Sequence, residues 1–290
     1  MTPLDGQDRP FHRALRRLRR DRAAASGAEA AYLHRRMADE LIERLDLVSR
    51  DFRTALDLGC GEAYLTRRLR ERGLDVVPAD SGGRFAAGAA GVQCDEDRLP
   101  FAEGSFDLVV SAGALETVND LPGALTLVRR ALRPDGLFLA ALTGAGSLPR
   151  LRESLSAAEE AAGLDPSPRL HPQIDVRAAG DLLGRAGFAL PVVDRDTLTV
   201  RFPSFLHLVR DLRGMAASNL LAARARRPLG REALAAAVAR FESAADPDGK
   251  TAERFEILYL SGWAPSPDQP RPARRGSATA SLAEALRPKS

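Results

Sequence analysis

Several things that would define a function by themselves are scarce in this 290-residue chain. There are two cysteines, Cys60 and Cys94, so no disulfide framework and no cysteine-spaced metal motif can be written. The pair suits a reducing, cytoplasmic setting. The four histidines (His12, His34, His171, His207) stand far apart, which leaves no locally encoded metal site. No apolar run approaches the length of a membrane span. Lysine is nearly absent, with Lys250 and Lys289 the only two, and arginine supplies the other basic groups. The formal charge is +3, and arginines alternate with Asp and Glu instead of massing on one segment, so no nucleic-acid face is expected. Two phosphate loops are missing as well. The dinucleotide fingerprint G-x-G-x-x-G fails at Tyr64, and no G-x-x-x-x-G-K-[ST] run occurs, which excludes dinucleotide and nucleoside triphosphate loops.

What is present begins at Ala55-Leu56-Asp57-Leu58-Gly59-Cys60-Gly61. An apolar run ends in an acid, turns through two glycines and enters a helical pattern at once, as a strand does when it feeds a helix past a close ligand. Nineteen residues past Gly61 a second apolar run ends in Asp80, placed at a neighbouring strand tip to accept ribose hydroxyls. A short third strand, Val92-Gln93-Cys94-Asp95, closes on another acid. The strand Ser105–Ser111 follows, then a helix capped at Asn119-Asp120 and running to about Arg133, then a turn at Pro134-Asp135-Gly136. The apolar strand 137–142 reads as buried and parallel. A helix over 176–186, a run from Phe188 to Phe202 and a last strand 255–260 complete a doubly wound α/β alternation.

The Asp57-x-Gly59-x-Gly61 turn with Asp80 resembles the first motif of the class I S-adenosylmethionine-dependent methyltransferases. Asp95…Leu99-Pro100-Phe101…Ser105-Phe106-Asp107 is similar to that family's adenine segment and fourth strand. The resemblance implies a seven-stranded Rossmann-like methyltransferase sheet whose final strand is antiparallel. It also implies S-adenosylmethionine as cofactor: Asp57 and the Gly59–Cys60–Gly61 backbone at the amino-acid end, Asp80 at the ribose, Asp95 with the Glu96 backbone at the adenine, and Ser81 and Ser111 among the cofactor-binding residues. The family's third glycine is Ala63 here, tolerable if its φ is negative. Arg210-Asp211-Leu212-Arg213-Gly214-Met215, Phe255-Glu256-Ile257 and Gly262-Trp263-Ala264-Pro265 are similar to a narrower group. That group contains a mitochondrial complex I assembly factor and malonyl-acyl-carrier-protein O-methyltransferase. It usually carries His-Trp or Gln-Trp where this chain has Glu116-Thr117.

The expected layout is a helical N-terminal segment over 1–50, a methyltransferase domain over 51–264 with helical insertions at 144–172 and 203–245, and a mobile basic tail over 265–290 with a short helix near 278–286. The insertions would wall the substrate. Phe11–Arg20 reads as a basic amphipathic helix: a lid, or a weak contact for an acidic partner or membrane surface, with a solvated face as the bland alternative. Asp5, Asp8 and Asp21 argue against a mitochondrial presequence.

Methyl transfer from a sulfonium is an in-line displacement in which positioning does most of the work. No Asn-Pro-Pro-aromatic run, the amine-methylating signature, follows strand four, which favours an oxygen acceptor, small or acyl-carrier-bound, or else no methyl transfer at all. Arg210 and Arg213, three apart on one helix, are candidate substrate clamps or surface ion pairs. No residue is assigned as catalytic. The resemblance leaves two alternatives: a complex I assembly role with a complex I subunit as partner, by arginine hydroxylation, or a cofactor-binding chaperone.

Overall fold

In the computed structural model, residues 9–269 are described, apart from Gly27, Pro166, Arg226 and Arg227. The tail expected to be mobile, with its short helix, lies beyond residue 269 for the most part and outside the described residues. Two helices, α1 (Arg13–Ala25) and α2 (Tyr32–Asp46), precede the sheet. Then come β1 (Thr54–Leu58), α3 (Tyr64–Arg70), β2 (Asp75–Asp80), α4 (Gly83–Gly88), β3 (Val92–Gln93), β4 (Phe106–Ala112), α5 (Leu121–Ala131) and β5 (Leu132–Thr143). The chain continues through α6 (Pro149–Ala161), α7 (Val176–Arg185), β6 (Ala189–Phe202), α8 (Phe205–Gly214), α9 (Arg231–Glu242) and β7 (Thr251–Trp263).

The seven strands lie in the order β3-β2-β1-β4-β5-β7-β6, and β7 runs antiparallel to both its neighbours. Order reverses at β1, so the crevice outside the carboxyl ends of β1 and β4 is the place such a sheet offers a ligand. Successive residues of the central strands serve opposite cores. Leu108, Val110, Leu137, Leu139 and Ala141 pack towards α2, α8 and α9, whereas Val109, Phe138, Ala140 and Leu142 pack towards α5 and α7. Burial on both faces is why these strands read as continuous apolar runs.

Helix starts follow the expected chemistry. Asp120 accepts from the Gly123 N–H at 2.8 Å with Pro122 in the first turn of α5, and Asp175 accepts from the Ala178 N–H at 2.8 Å to start α7. Three expectations need correction. Pro134–Gly136 is not a separate turn before the fifth strand. It is an irregularity inside β5, where the register slips between Phe106 and Leu108 and Asp135 takes φ +61°. The third strand stops at Gln93, because the chain leaves the sheet to aim Asp95 and Glu96 at α1. The last strand is twice as long as its apolar centre, since β6 pairs with it from end to end.

Candidate functional site

The site is a row of acids at the sheet's carboxyl edge. Asp57 leaves β1 on the face shared with α3, where the Thr66 hydroxyl donates to its Oδ2 at 2.6 Å. Burial pushes this carboxyl up to about 6, against the Thr66 bond and with the charge of Asp80 adding to it. At the tip of β2, Asp80 is wholly buried and accepts from the Gly61 N–H at 3.0 Å and the Gly82 N–H at 2.7 Å. Gly59 turns with φ +83°, and a Cβ there would stand 2.1 Å from the Ala114 Cβ, so the close turn requires glycine. Ala63 also has positive φ, +58°, contrary to the negative φ expected of it.

Across this row lies α1. Arg13, Arg16, Arg17 and Arg20 repeat at i, i+3, i+4 and i+7, so one helical face presents all four guanidinium groups. Arg20 forks onto Asp80, its Nε donating to Oδ1 at 2.7 Å and its Nη2 to Oδ2. Burial would raise the Asp80 carboxyl, but Arg20 and the two backbone donors outweigh it and hold it below its usual range. Arg16 spends every donor: two on Glu96 at 2.6 and 2.8 Å, the others on the Ser81 hydroxyl, the Ala114 carbonyl and the Thr117 hydroxyl. Arg17 and Arg13 hold Asp95, and Arg13 also forks Asp97. The solvated-face reading of α1 therefore fails for Arg13, Arg16, Arg17 and Arg20, which are turned onto the chain's own acids. The helix is tethered at its start, where the Phe11 N–H donates to Asn119 Oδ1 at 2.8 Å and the Asn119 amide returns a bond to the Phe11 carbonyl.

Two cavities flank the row. The smaller, about 230 Å³, runs along Asp57, Gly59, Cys60, Gly61 and Phe85. The larger, about 580 Å³, is roofed by α6, α8 and the segment 169–173. Arg20, His34, Gly113 and Met215 belong to the walls of both. Gly113 (φ +69°) lets His34 come close, since a Cβ there would lie 2.3 Å from the imidazole. Burial, helped by the charge of Arg20, pushes His34 down to about 4, so the ring is neutral at pH 7. On the floor of the larger cavity, Glu116 Oε1 accepts from the Thr143 hydroxyl at 3.3 Å, while its buried Oε2 has no partner among the described residues. Burial holds this carboxyl above its ordinary range.

Among the residues singled out from the sequence, Asp57, Gly59, Cys60 and Gly61 come together on the smaller cavity. Asp80, Ser81, Asp95 and Glu96 gather beneath α1. Ser111 is fully buried in β4, faces neither cavity and leaves its hydroxyl unpartnered among the described residues. Arg213 lines the larger cavity and Arg210 lines neither, so the structure does not bring the two arginines to one place. His34 and the α1 arginines were not foreseen in the site. The i, i+3, i+4, i+7 spacing of the arginines opposite three strand-tip acids was the available signal.

A model of the methyltransferase domain matches residues 56–140. The human mitochondrial arginine-hydroxylase NDUFAF5 is 37% identical over 285 residues, covering 94% of this chain and 82% of that protein. The malonyl-[acyl-carrier protein] O-methyltransferase of Laribacter hongkongensis is 34% identical over 278 residues, covering 88% and 89%. In fold, the chain is similar to a methyltransferase of Bacillus halodurans with a TM-score of 0.54 at 14% identity, over 79% of this chain and all of that one. The chain belongs to the class I S-adenosylmethionine-dependent methyltransferases, and its cofactor is S-adenosylmethionine. Within that family it falls in the group holding the mitochondrial arginine-hydroxylase and the malonyl-carrier methyltransferase.

Proposed function

We propose that this chain moves a methyl group to an oxygen of a small or carrier-bound acceptor held in the larger cavity. The supporting observation is the pair of cavities that meet at Arg20, His34, Gly113 and Met215. One lies on the Gly59–Gly61 turn, the other under the insertion helices, and their common wall is where a donor and an acceptor would face each other.

The residues fit the cofactor in two halves. Asp57 and the Gly59–Gly61 backbone line a cavity suited to a methionine tail. Asp80, Asp95 and Glu96, with Ser81, are the nucleoside half. Those three carboxylates are engaged by α1, so taking up the nucleoside means that Arg13, Arg16, Arg17 and Arg20 give up their present partners on them. In this reading α1 is a lid over the nucleoside half, and its arginines exchange their carboxylate partners for the cofactor. The bound cofactor supplies an electrophilic sulfonium methyl. The chain supplies position: a turn without side chains, a neutral His34 beside Gly113, and Glu116 as a proton acceptor for a hydroxyl, which needs one as a carboxylate acceptor does not.

Incubating the protein with methyl-labelled cofactor and candidate acceptors, then weighing the products, tests the reading. An acceptor that gains one methylene supports it. A protein arginine that gains one oxygen would support complex I assembly instead, a reading favoured by the 37% identity to the mitochondrial arginine-hydroxylase over nearly the whole chain. Both are proposed for the cytoplasm, in keeping with two unpaired cysteines; among the described residues no helix is long and apolar enough to cross a membrane.

A further inference from the structure

Two arginines of α1, Arg19 and the exposed Arg22, are left out of the pairing with the acids among the described residues. Arg13, Arg16, Arg17 and Arg20 all have carboxylate partners, yet Arg19 has none among the described residues, and its buried Nε meets no acceptor. Arg19 instead lines the larger cavity, together with Arg213 of α8, which is likewise free of an acid among the described residues. Burial, and after it the like charges of Arg22, Arg213 and Arg224, make the protonated form of Arg19 harder to hold. The cavity's other two arginines are already spent, Arg169 on Glu159 at 2.6 Å and Arg20 on Asp80. Its one carboxylate, Glu116, is near Arg16 and Arg20 and does not figure among the charges that act on Arg19. Most of the remaining wall is apolar, with Leu148, Leu151, Leu155, Phe205, Leu212 and Phe255 among its residues.

Unpaired guanidinium groups lining one apolar-walled cleft focus positive potential and bind best what neutralises them. We infer that Arg19 and Arg213 form an anion subsite, and that the acceptor is amphipathic: an apolar body carrying a carboxylate or phosphate group at the Arg19–Arg213 end of the cavity. This rests on the reading of the larger cavity as the acceptor site and narrows its substrate class. It also replaces the Arg210–Arg213 clamp, because Arg210 lines neither cavity.

The test is calorimetric titration of the full chain with hexanoate, hexyl phosphate, hexanol and hexylamine, which share one apolar body. The wild type should bind hexanoate, hexyl phosphate or both at least tenfold more tightly than hexanol, as a charge-assisted pair predicts. The tighter of the two anions tells whether the subsite serves a carboxylate or a phosphate source. Arg19→Gln and Arg213→Gln should each erase most of that preference, whereas Arg210→Gln should keep it. Hexanol binding as well as the anions, hexylamine binding best, or an anion preference that survives both substitutions would overturn the subsite. Titrating the same variants with S-adenosylmethionine separates the two failures. Cofactor binding retained while the anion preference is absent condemns the subsite alone, and no cofactor binding by the wild type condemns the methyltransferase reading.

Discussion

Ala63 shows how one methyl group can mark a compromise. It occupies the left-handed region at φ +58° directly before α3, where an L-residue costs about 1–2 kcal/mol relative to glycine. Ala63→Gly should stabilise the chain by about 1 kcal/mol, raising Tm by roughly 2–4 °C in a thermal melt for a chain of this size. An unchanged or lower Tm would show that the turn relaxes in solution. Asp57 carries a second prediction. Its folded carboxyl lies near 6 against an ordinary 3.8. Being raised, it favours the fold fully below the ordinary value, and this contribution is lost as pH rises through about 4 to 6. Asp57→Asn should therefore gain stability relative to wild type by up to roughly 3 kcal/mol between pH 4 and pH 7, measured by urea unfolding at each pH. A difference that stays flat across that window would mean that Asp57 is not desolvated. These residues were legible as positions, because an acid and two glycines at a strand end form a local pattern. Their protonation was not, because it depends on Thr66, Asp80 and Arg20 arriving from three other elements.

At the scale of elements, α1 changes the picture most. Its amphipathic pattern was plain, and its four-arginine face could have been matched to three strand-tip acids, yet sequence alone gives no pairing between a helix and strand ends 60 to 80 residues away. The two buried pairs, Arg20–Asp80 and Arg16–Glu96, hold charge that must stay compensated. Arg16→Gln leaves Glu96 buried without its partner and should cost about 3–5 kcal/mol in the cofactor-free protein, read by urea unfolding. If α1 is a lid, amides of Arg13–Ala25 should exchange with deuterium faster when S-adenosylmethionine is saturating. Slower exchange there would mean that the helix closes over the cofactor without giving up its arginines. The insertions are held more firmly. Glu253 of β7 accepts from the Leu151 N–H at 2.8 Å and the Arg150 N–H at 3.2 Å, pinning the start of α6 above the larger cavity.

Over the whole molecule, alternation of apolar strands and amphipathic helices was enough to give the doubly wound sheet, since each central strand is buried on both faces and reads as such. The antiparallel final strand and the methyltransferase class came from likeness in the first motif and in the segment around Arg210–Met215, and the comparisons bear the class out, whereas the strand order came only with the structure. The two cavities were beyond reach, because their walls are drawn from α1, α2, the loop after β4, α6 and α8 together. The central claim, that the acids at the tip of β2 and past the tip of β3 receive one adenosyl group once α1 yields, is tested most directly by calorimetric titration of S-adenosylmethionine into wild type and Asp80→Asn, with a melt to confirm that the variant is folded. The expected result is one site per chain in the wild type and at least tenfold weaker binding in the variant, as loss of a charge-assisted pair of hydrogen bonds implies. Equal affinity in the two proteins, or no binding to the wild type, would contradict it.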